Sequence, residues 1–336
     1  MLEPQSGPVP PPSERRVSVV IPARNEVGSI ARLVGAVRAQ AQGAPAAALA
    51  RSVAGVALEV IVVDDGSADD TAGVAEQAGA RVIRMQGGGN PAAARNRGAA
   101  AATGDPIIFL DADCTPAPGW LAAFLAAHDR GELIVGGSLD LPPGLPSAAR
   151  CDYYCGWYLV HSRRPAGYVP HHPPPNLSVR RDAFRSTSGF SERAPLGYTN
   201  EERAWQGELQ RQGHRIYFEP RARTFHHNRP GFGNLLRRNY RWGYTALEAK
   251  SGSRAARLAW LYEHPQLLIA ATPLLALAHT AYIVGLWLRA GVTEPIAMLP
   301  AILASRVAYV AGMAVGGTRW LRRRGTAAPA SNPRWQ

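Results

Sequence analysis

Residues 60–71 read VIVVDDGSADDT: four β-branched residues run directly into two carboxylates and a turn-forming Gly-Ser. Such a run has no polar face, so it predicts a strand covered on both sides, as in a parallel sheet. With Glu59 ahead of it (59–63, EVIVV), it has two counterparts, residues 17–21 (VSVVI) and 106–110 (PIIFL). Between and after these runs lie stretches of helical character, 26–40, 68–78 and the alanine-rich 91–102, each opening near a proline or polar start signal. Residues 41–58 show no period and read as a helix extension plus loop. Alternation of this kind predicts an α/β fold with a mostly parallel central sheet.

In open α/β sheets ligands bind beyond the carboxyl ends of the strands. Here those ends are unusually polar: Pro22, Ala23, Arg24, Asn25 and Glu26 follow the first strand, Asp64, Asp65, Gly66 and Ser67 the second, and Asp111, Ala112 and Asp113 the third. Carboxylates brought together at one sheet edge repel one another unless a cation or polar ligand compensates. The D-x-D spacing of Asp111 and Asp113 puts both carboxylates on one side of an extended strand end, as shared metal binding requires.

The segments VSVVIPARNE (17–26), VIVVDDGSADDT (60–71) and NPAAARNRGAAAATGDPIIFLDAD (90–113), in this order, resemble the nucleotide-sugar glycosyltransferases of family 2. The resemblance covers residues 17 to about 228 and implies the GT-A fold, a Rossmann-like domain. It further implies that Pro22–Glu26 and Asp64–Ser67 hold the nucleobase and ribose of the donor, with Arg95 nearby. Asp111 and Asp113 would take ribose and a divalent cation, Mg2+ or Mn2+ since the ligands are oxygens. His226 or His227, in FEPRARTFHH, matches a region where related enzymes place a further metal or phosphate contact. An inverting transfer needs a base for the acceptor hydroxyl. By position Thr199-Asn200-Glu201-Glu202 takes the place of the family's T-E-D, which puts Glu202 in the base position with Glu201 beside it; glutamate instead of aspartate leaves open which of the two acts. Asn176, Ser178 and Arg180 resemble the stretch before the acceptor site. Arg238, Arg241 and Trp242 form R-x-x-R-W, a pattern of processive polysaccharide synthases and equally that of an interfacial anchor, so single transfer and processive synthesis both stay open, with single transfer preferred.

The remaining chain points to a membrane. Residues 267–288 are a charge-free run of 22 residues, which as a helix covers about 33 Å against a hydrocarbon core of ~30 Å. A second candidate, 295–317, carries Arg306 near its middle, at a cost of about 2.5–3.5 kcal/mol. Lys250, Arg254 and Arg257 precede the pair and Arg319, Arg322, Arg323 and Arg324 follow it, while the connection holds only Arg289 and Glu294. The positive-inside rule then predicts a transmembrane hairpin with the catalytic domain and both termini cytoplasmic. Residues 229–262 alternate leucine and tyrosine with arginine and read as a helix at the anionic headgroup level. The expected organisation is a disordered tail (1–16), a GT-A domain (17–228), the basic amphipathic segment (229–262), two spans (263–320) and a basic tail (321–336). The acceptor implied is membrane-associated: a lipid, a polyprenyl phosphate or a lipid-linked glycan.

Composition narrows the alternatives. The 336 residues carry 37 Lys+Arg against 25 Asp+Glu, a net charge of +12, but nearly all of it is arginine and no helix-turn-helix, zinc-finger or aromatic-platform pattern accompanies it, so nucleic acid is not an expected partner. Cys114, Cys151 and Cys155 are too few for a disulfide framework. No G-x-G-x-x-G follows the first strand, which disfavours a nicotinamide-dependent Rossmann enzyme; Gly87–Gly89 reads as a loop. A membrane-anchored protein that binds a nucleotide sugar without turning it over is the remaining competitor.

Overall fold

The computed structural model describes residues 15–41, 53, 55–193, 199–228, 231–250 and 264–326. Residues 1–14 of the expected 1–16 tail, most of the 41–58 stretch, the flanking Arg254 and Arg257, and residues 327–336 of the expected 321–336 tail lie outside the described residues; Arg16 already belongs to the first strand and 321–326 to the last helix. The chain divides into two compact units, Met1–Arg229 and Pro230–Gln336.

In the first unit β1 (Arg16–Ala23), α1 (Ile30–Ala39), β2 (Ala57–Asp64), α2 (Thr71–Gln77), β3 (Arg81–Arg84), α3 (Pro91–Ala101) and β4 (Ile107–Leu110) alternate as the periodicity predicts. They are followed by β5 (Cys114–Pro116), α4 (Trp120–Asp129), β6 (Ile134–Asp140), α5 (Ser147–Gly156), β7 (Gly167–Val169), β8 (Asn176–Val179), α6 (Arg181–Arg185), α7 (Glu202–Arg211) and β9 (Ile216–His226). The strands form one mixed, mostly parallel sheet in the order β3-β2-β1-β4-β8-β6-β9-β5, with β7 paired to β9. Its β3-β2-β1-β4 half is wholly parallel. β8 then enters antiparallel to both β4 and β6. Between β1 and β4 the order of strands reverses, and a crevice opens there at the carboxyl edge.

Helices reach this sheet through their apolar faces. α1 buries Ile30, Leu33, Val34 and Val37, one stripe at helical spacing. α3 starts at Pro91, and the Asn90 side chain caps it by accepting from the Ala93 N–H at 3.1 Å. α7 buries Trp205 and Leu209. Trp205 packs edge-on against Phe190 at 5.3 Å, and Phe190 against Phe109 of β4 at 4.9 Å. This aromatic stack ties the start of α7 to the carboxyl end of β4.

The second unit comprises α8 (Phe232–Lys250), α9 (Pro265–Ala270), α10 (Thr272–Arg289), α11 (Glu294–Ala297) and α12 (Leu299–Thr326). Two expectations change here. The run 267–288 is not one helix: it breaks at Ala271, between α9 and α10, where Pro273 lacks the N–H that a continuous helix would need. Among the described residues one helix, over Leu299–Arg322, is long and apolar enough to cross a membrane, and α10 contributes only a shorter apolar segment. Nor is the apolar face of α8 left for lipid. Leu235, Asn239, Gly243, Ala246 and Leu247 are buried, and α8 lies along α12. The helices approach so closely that a Cβ at Gly243 would strike the Tyr309 carbonyl, and one at Gly312 the Tyr240 carbonyl. The same packing accommodates Arg306, which is 2% exposed and donates to the Asn239 side-chain oxygen of α8. A charge placed mid-helix thus faces a neighbouring helix.

Gly312→Ala is therefore expected to cost about 1–3 kcal/mol by overpacking, read as a fall in the thermal midpoint of the detergent-solubilised chain. Gly285→Ala, whose Cβ meets nothing within 4 Å, serves as control and leaves the midpoint unchanged or slightly raised. Equal midpoints for the two variants would refute the close crossing.

Candidate active site

The loop after β1 is fastened to the loop after β2. Asn25 adopts φ 56 and donates its backbone N–H to the Ser67 hydroxyl at 2.9 Å, while its side-chain oxygen accepts from the Ala68 N–H at 2.8 Å. Glu26 donates its N–H to the Thr71 hydroxyl at 2.8 Å, and its carboxylate accepts from Ser29 at 2.6 Å. Asp64, the last residue of β2, accepts from the Ser67 hydroxyl and backbone N–H. Asn25, Asp64 and Ser67 thus spend polar atoms on shaping the rim, whereas Pro22, Ala23, Arg24 and Glu26 line the cleft itself.

Asp65 is the inner acidic residue of this rim. One carboxylate oxygen accepts from the Gly89 N–H at 2.8 Å; the other is buried with no hydrogen-bond partner. Burial pushes this carboxyl above its usual range, against the pull of the Gly89 and Asn90 amides and of Arg24. The Gly87–Gly89 loop wraps this residue: Gly66, Gly87 and Gly89 have φ of 69, 73 and 96, and a Cβ at Gly88 would collide with the Asp65 carbonyl. The triple glycine, which in the sequence reads only as a loop, is the part of the cleft that sequence reasoning missed.

Arg95 crosses the floor. Its guanidinium donates from one nitrogen to Asp111 and from another to Glu201, both at 2.6 Å, and lies 5.6 Å from the Phe190 ring. Burial alone would lower its affinity for a proton, but Asp111 and Glu201 outweigh this and hold it above its ordinary value. Glu201 caps α7 directly after Asn200, which turns the chain at φ 60. Burial pushes the Glu201 carboxyl up, opposed by Arg95 and reinforced by Glu202. For Glu202 burial has the same sense, yet His171 beside it, hydrogen-bonded to its carboxylate, holds it below the usual range. His171, in the PHHPPPN stretch, carried no signal in the sequence; only the fold brings it to Glu202.

The D-x-D geometry differs from expectation. Asp111 and Asp113 do not sit on an extended strand end: the Cys114 N–H donates to the Asp111 carbonyl at 3.0 Å, closing a turn between β4 and β5. Both still line the cleft. Asp111 is directed to Arg95, whereas one oxygen of Asp113 lies 3.5 Å from Nε2 of His226, at the end of β9. That oxygen is buried and accepts no hydrogen bond. Asp113, Cys114 and His226 have ligand atoms within 4.8 Å of one another. Burial, with Asp113 and Asp111 near, pushes the Cys114 thiol well above its usual range, and it points to the Pro175 carbonyl at 3.7 Å. Asp113 offers this corner of the cleft a carboxylate oxygen and His226 an imidazole nitrogen, donor types compatible with a divalent cation such as Mn2+.

Four further residues singled out in the sequence are not among those lining this cleft. Asn176 is not an acceptor contact: it is wholly buried, accepting from Trp120 at 2.8 Å and donating to the Ser138 and Ala222 carbonyls at 2.9 and 2.7 Å. Its polarity is consumed in joining α4, β6 and β9. Arg238, Arg241 and Trp242 belong to α8 in the second unit, where the Arg238 guanidinium lies 4.9 Å from the Trp242 ring.

The Glycosyl transferase family 2 profile matches residues 18–187. The pre-mycofactocin glycosyltransferase of Mycobacterium tuberculosis is 32% identical over 258 residues, covering 71% of this chain and 49% of its own length; the chain thus spans about half of that relative. Glycosyltransferase AglE of Haloferax volcanii is 30% identical over 239 residues, covering 68% and 71%. Among solved structures, a mannosyltransferase from Pyrobaculum calidifontis in complex with GDP-Man and Mn2+ aligns with a TM-score of 0.57 at 20% identity, over 93% of this chain and 91% of that one. Its likeness concerns the fold, which is GT-A. With its carboxylate-lined crevice at the sheet's switch point and the profile match, the chain belongs to glycosyl transferase family 2.

Proposed function

We propose that the cleft binds a nucleoside-diphosphate sugar together with Mg2+ or Mn2+ and transfers the sugar, with inversion and once per acceptor, to a membrane-associated lipid, polyprenyl phosphate or lipid-linked glycan. The observation that carries this reading is the convergence of Asp65, Asp111 and Asp113 on one cleft whose floor, Arg95, is anchored to Glu201. The buried, unsatisfied oxygen of Asp65 suits an N–H of the nucleobase or a ribose hydroxyl. Asp113 and His226, with Asp111 alongside, would hold the cation; when bound, it supplies Lewis-acid stabilisation to the charge of the departing diphosphate. Glu202 takes the base role: it stays ionised beside His171, whereas Glu201 is occupied by Arg95. His171, half-buried, donates to this carboxylate and keeps it ionised, ready to take the proton of the acceptor hydroxyl.

The acceptor class is supported by α12, which meets the spanning length, and by the exposure of Leu267, Leu274, Leu277 and Val307 in the second unit. Arg319 and Arg322 at its far end favour the cytoplasmic side for that end of α12.

The test is nucleoside diphosphate release by the purified full chain, across UDP- and GDP-sugars with Mn2+, with lipid extracts or water-soluble glycans as acceptors. Release that depends on lipid extract, with a product of inverted anomeric configuration, supports the proposal; release with soluble acceptors alone refutes the acceptor class. Chelation by EDTA is expected to abolish activity, and Mn2+ to restore it. In Asp113→Asn restoration needs at least tenfold more Mn2+ (~1.4 kcal/mol of binding). Undiminished activity in EDTA would refute the metal assignment.

A further inference from the structure

His226 is 3% exposed, and its two ring nitrogens face different partners. Nδ1 lies 3.0 Å from the side-chain oxygen of Asn228, and Nε2 lies 3.5 Å from the buried oxygen of Asp113. Asn228, 2% exposed, in turn donates its side-chain N–H to Asp152 of α5 at 2.9 Å. A carboxylate can only accept. Turning the Asn228 amide over would therefore set two acceptor oxygens face to face at Asp152, a buried residue at 3% exposure. The amide is pinned with its oxygen toward His226, and an amide oxygen can take a hydrogen bond from His226 only if Nδ1 carries the proton. In the neutral ring Nε2 is then left with its lone pair, aimed at an Asp113 oxygen that accepts no hydrogen bond. The Trp157 ring, 4.9 Å from the imidazole, packs against it and keeps the ring in this orientation.

We propose that Asp152 and Asn228, neither of which lines the cleft, are positioning residues that hold His226 in its Nδ1–H tautomer, so that Nε2 and Asp113 present two lone pairs to a divalent cation. The inference rests on the metal site proposed above and deepens it. The opposite tautomer would donate from Nε2 to Asp113, closing the site by an internal hydrogen bond that an incoming cation would have to break. The relay from Asp152 through Asn228 removes that competitor before the cation arrives. Outer partners that fix the tautomer of a metal-binding histidine typically change metal affinity by about 10–100-fold.

The experiment uses the full chain in detergent, metal-free and 15N-labelled at histidine, at about pH 8, above the ordinary imidazole range. Long-range 15N–1H correlations read the tautomer, with the His226 signals among the nine histidines assigned from His226→Gln. Titration calorimetry with Mn2+ alone reads affinity. Wild type is expected to show Nδ1–H. Asn228→Leu is expected to move the proton wholly or partly to Nε2 and to weaken Mn2+ binding by about 10–100-fold. Asp152→Asn, which lets the amide turn over, is expected to give a smaller loss. The exchange variant Asp152→Asn/Asn228→Asp should recover both readouts, because the new amide donates to the new carboxylate, which still accepts from Nδ1–H. This variant conserves volume and polarity and keeps the test open if Asn228→Leu does not fold. Nε2–H in the wild type, or wild-type tautomer and affinity in Asp152→Asn and Asn228→Leu, would overturn the proposal. If wild type and His226→Gln bind Mn2+ equally while the tautomer responds as expected, the metal site is what fails, and the relay loses its purpose with it.

Discussion

Glu202→Gln is expected to lower kcat by about 10²–10⁴-fold, the usual contribution of a positioned general base, while donor-induced thermal stabilisation stays as in the wild type. The substitution keeps volume and an oxygen that can accept from His171, so a fall in rate reports the lost proton acceptor rather than lost packing. A loss below tenfold with full donor binding would refute Glu202 as base and leave Glu201, the other candidate of the pair. The pH profile separates them further. His171 holds Glu202 below the usual carboxylate range, so kcat/KM should fall only when acid protonates it there. In His171→Ala the lowering partner is gone and burial still raises the carboxyl, so the acid limb should move to higher pH. Because Glu201 and Glu202 interact, the limb belongs to the pair; in Glu201→Gln the neighbouring negative charge disappears and the limb should move to lower pH.

The second large effect is on stability. Arg95→Leu removes the cation between Asp111 and Glu201, whose side chains are 24% and 6% exposed against 4% for Arg95. Breaking a buried pair from one side typically costs about 3–5 kcal/mol, because the remaining charge has no partner; the partial exposure of Asp111 places most of that cost on Glu201. Denaturant unfolding of the full chain followed by near-ultraviolet dichroism measures it. The sign with pH follows from Glu201, which burial already raises to about 7 with Arg95 present. A carboxyl whose folded-state value lies above its unfolded value binds protons preferentially in the fold, so it loses stability as pH rises through that window. Without Arg95 the group moves further up, and the deficit of Arg95→Leu should be larger at about pH 8 than at about pH 6. Arg95→Leu/Glu201→Leu should recover a large part of the loss, since no buried carboxylate is stranded there. Equal, additive losses would mean that the ion pair contributes nothing beyond its parts.

Much of this architecture is legible in the chain because its signals are local. Three short apolar runs with polar ends, two of them acidic, and helices between them predict a covered, mostly parallel sheet with ligand groups at one edge, and 17–21, 59–63 and 106–110 contribute to that sheet. Asp65, Asp111 and Asp113 reach one cleft because strands placed side by side must deliver their ends to the same edge. Arg306 is different: its place in an apolar helix was visible, but its partner, Asn239, is 67 residues away and is brought near only by a crossing of small residues.

Spacing along one strand or helix is enough to foresee the α/β alternation, the polar strand ends and the apolar length of the α12 region. Which side chains use up one another's polarity emerges only once the chain is folded. Asn176 looked available and is saturated inside the sheet; Gly87–Gly89 looked like filler and forms the wall behind Asp65; the D-x-D pair is parted by a turn, one carboxylate to Arg95 and the other to His226. Hydrogen bonds and ion pairs are satisfied in three dimensions by residues remote in the chain, so their outcome is not written in any one segment.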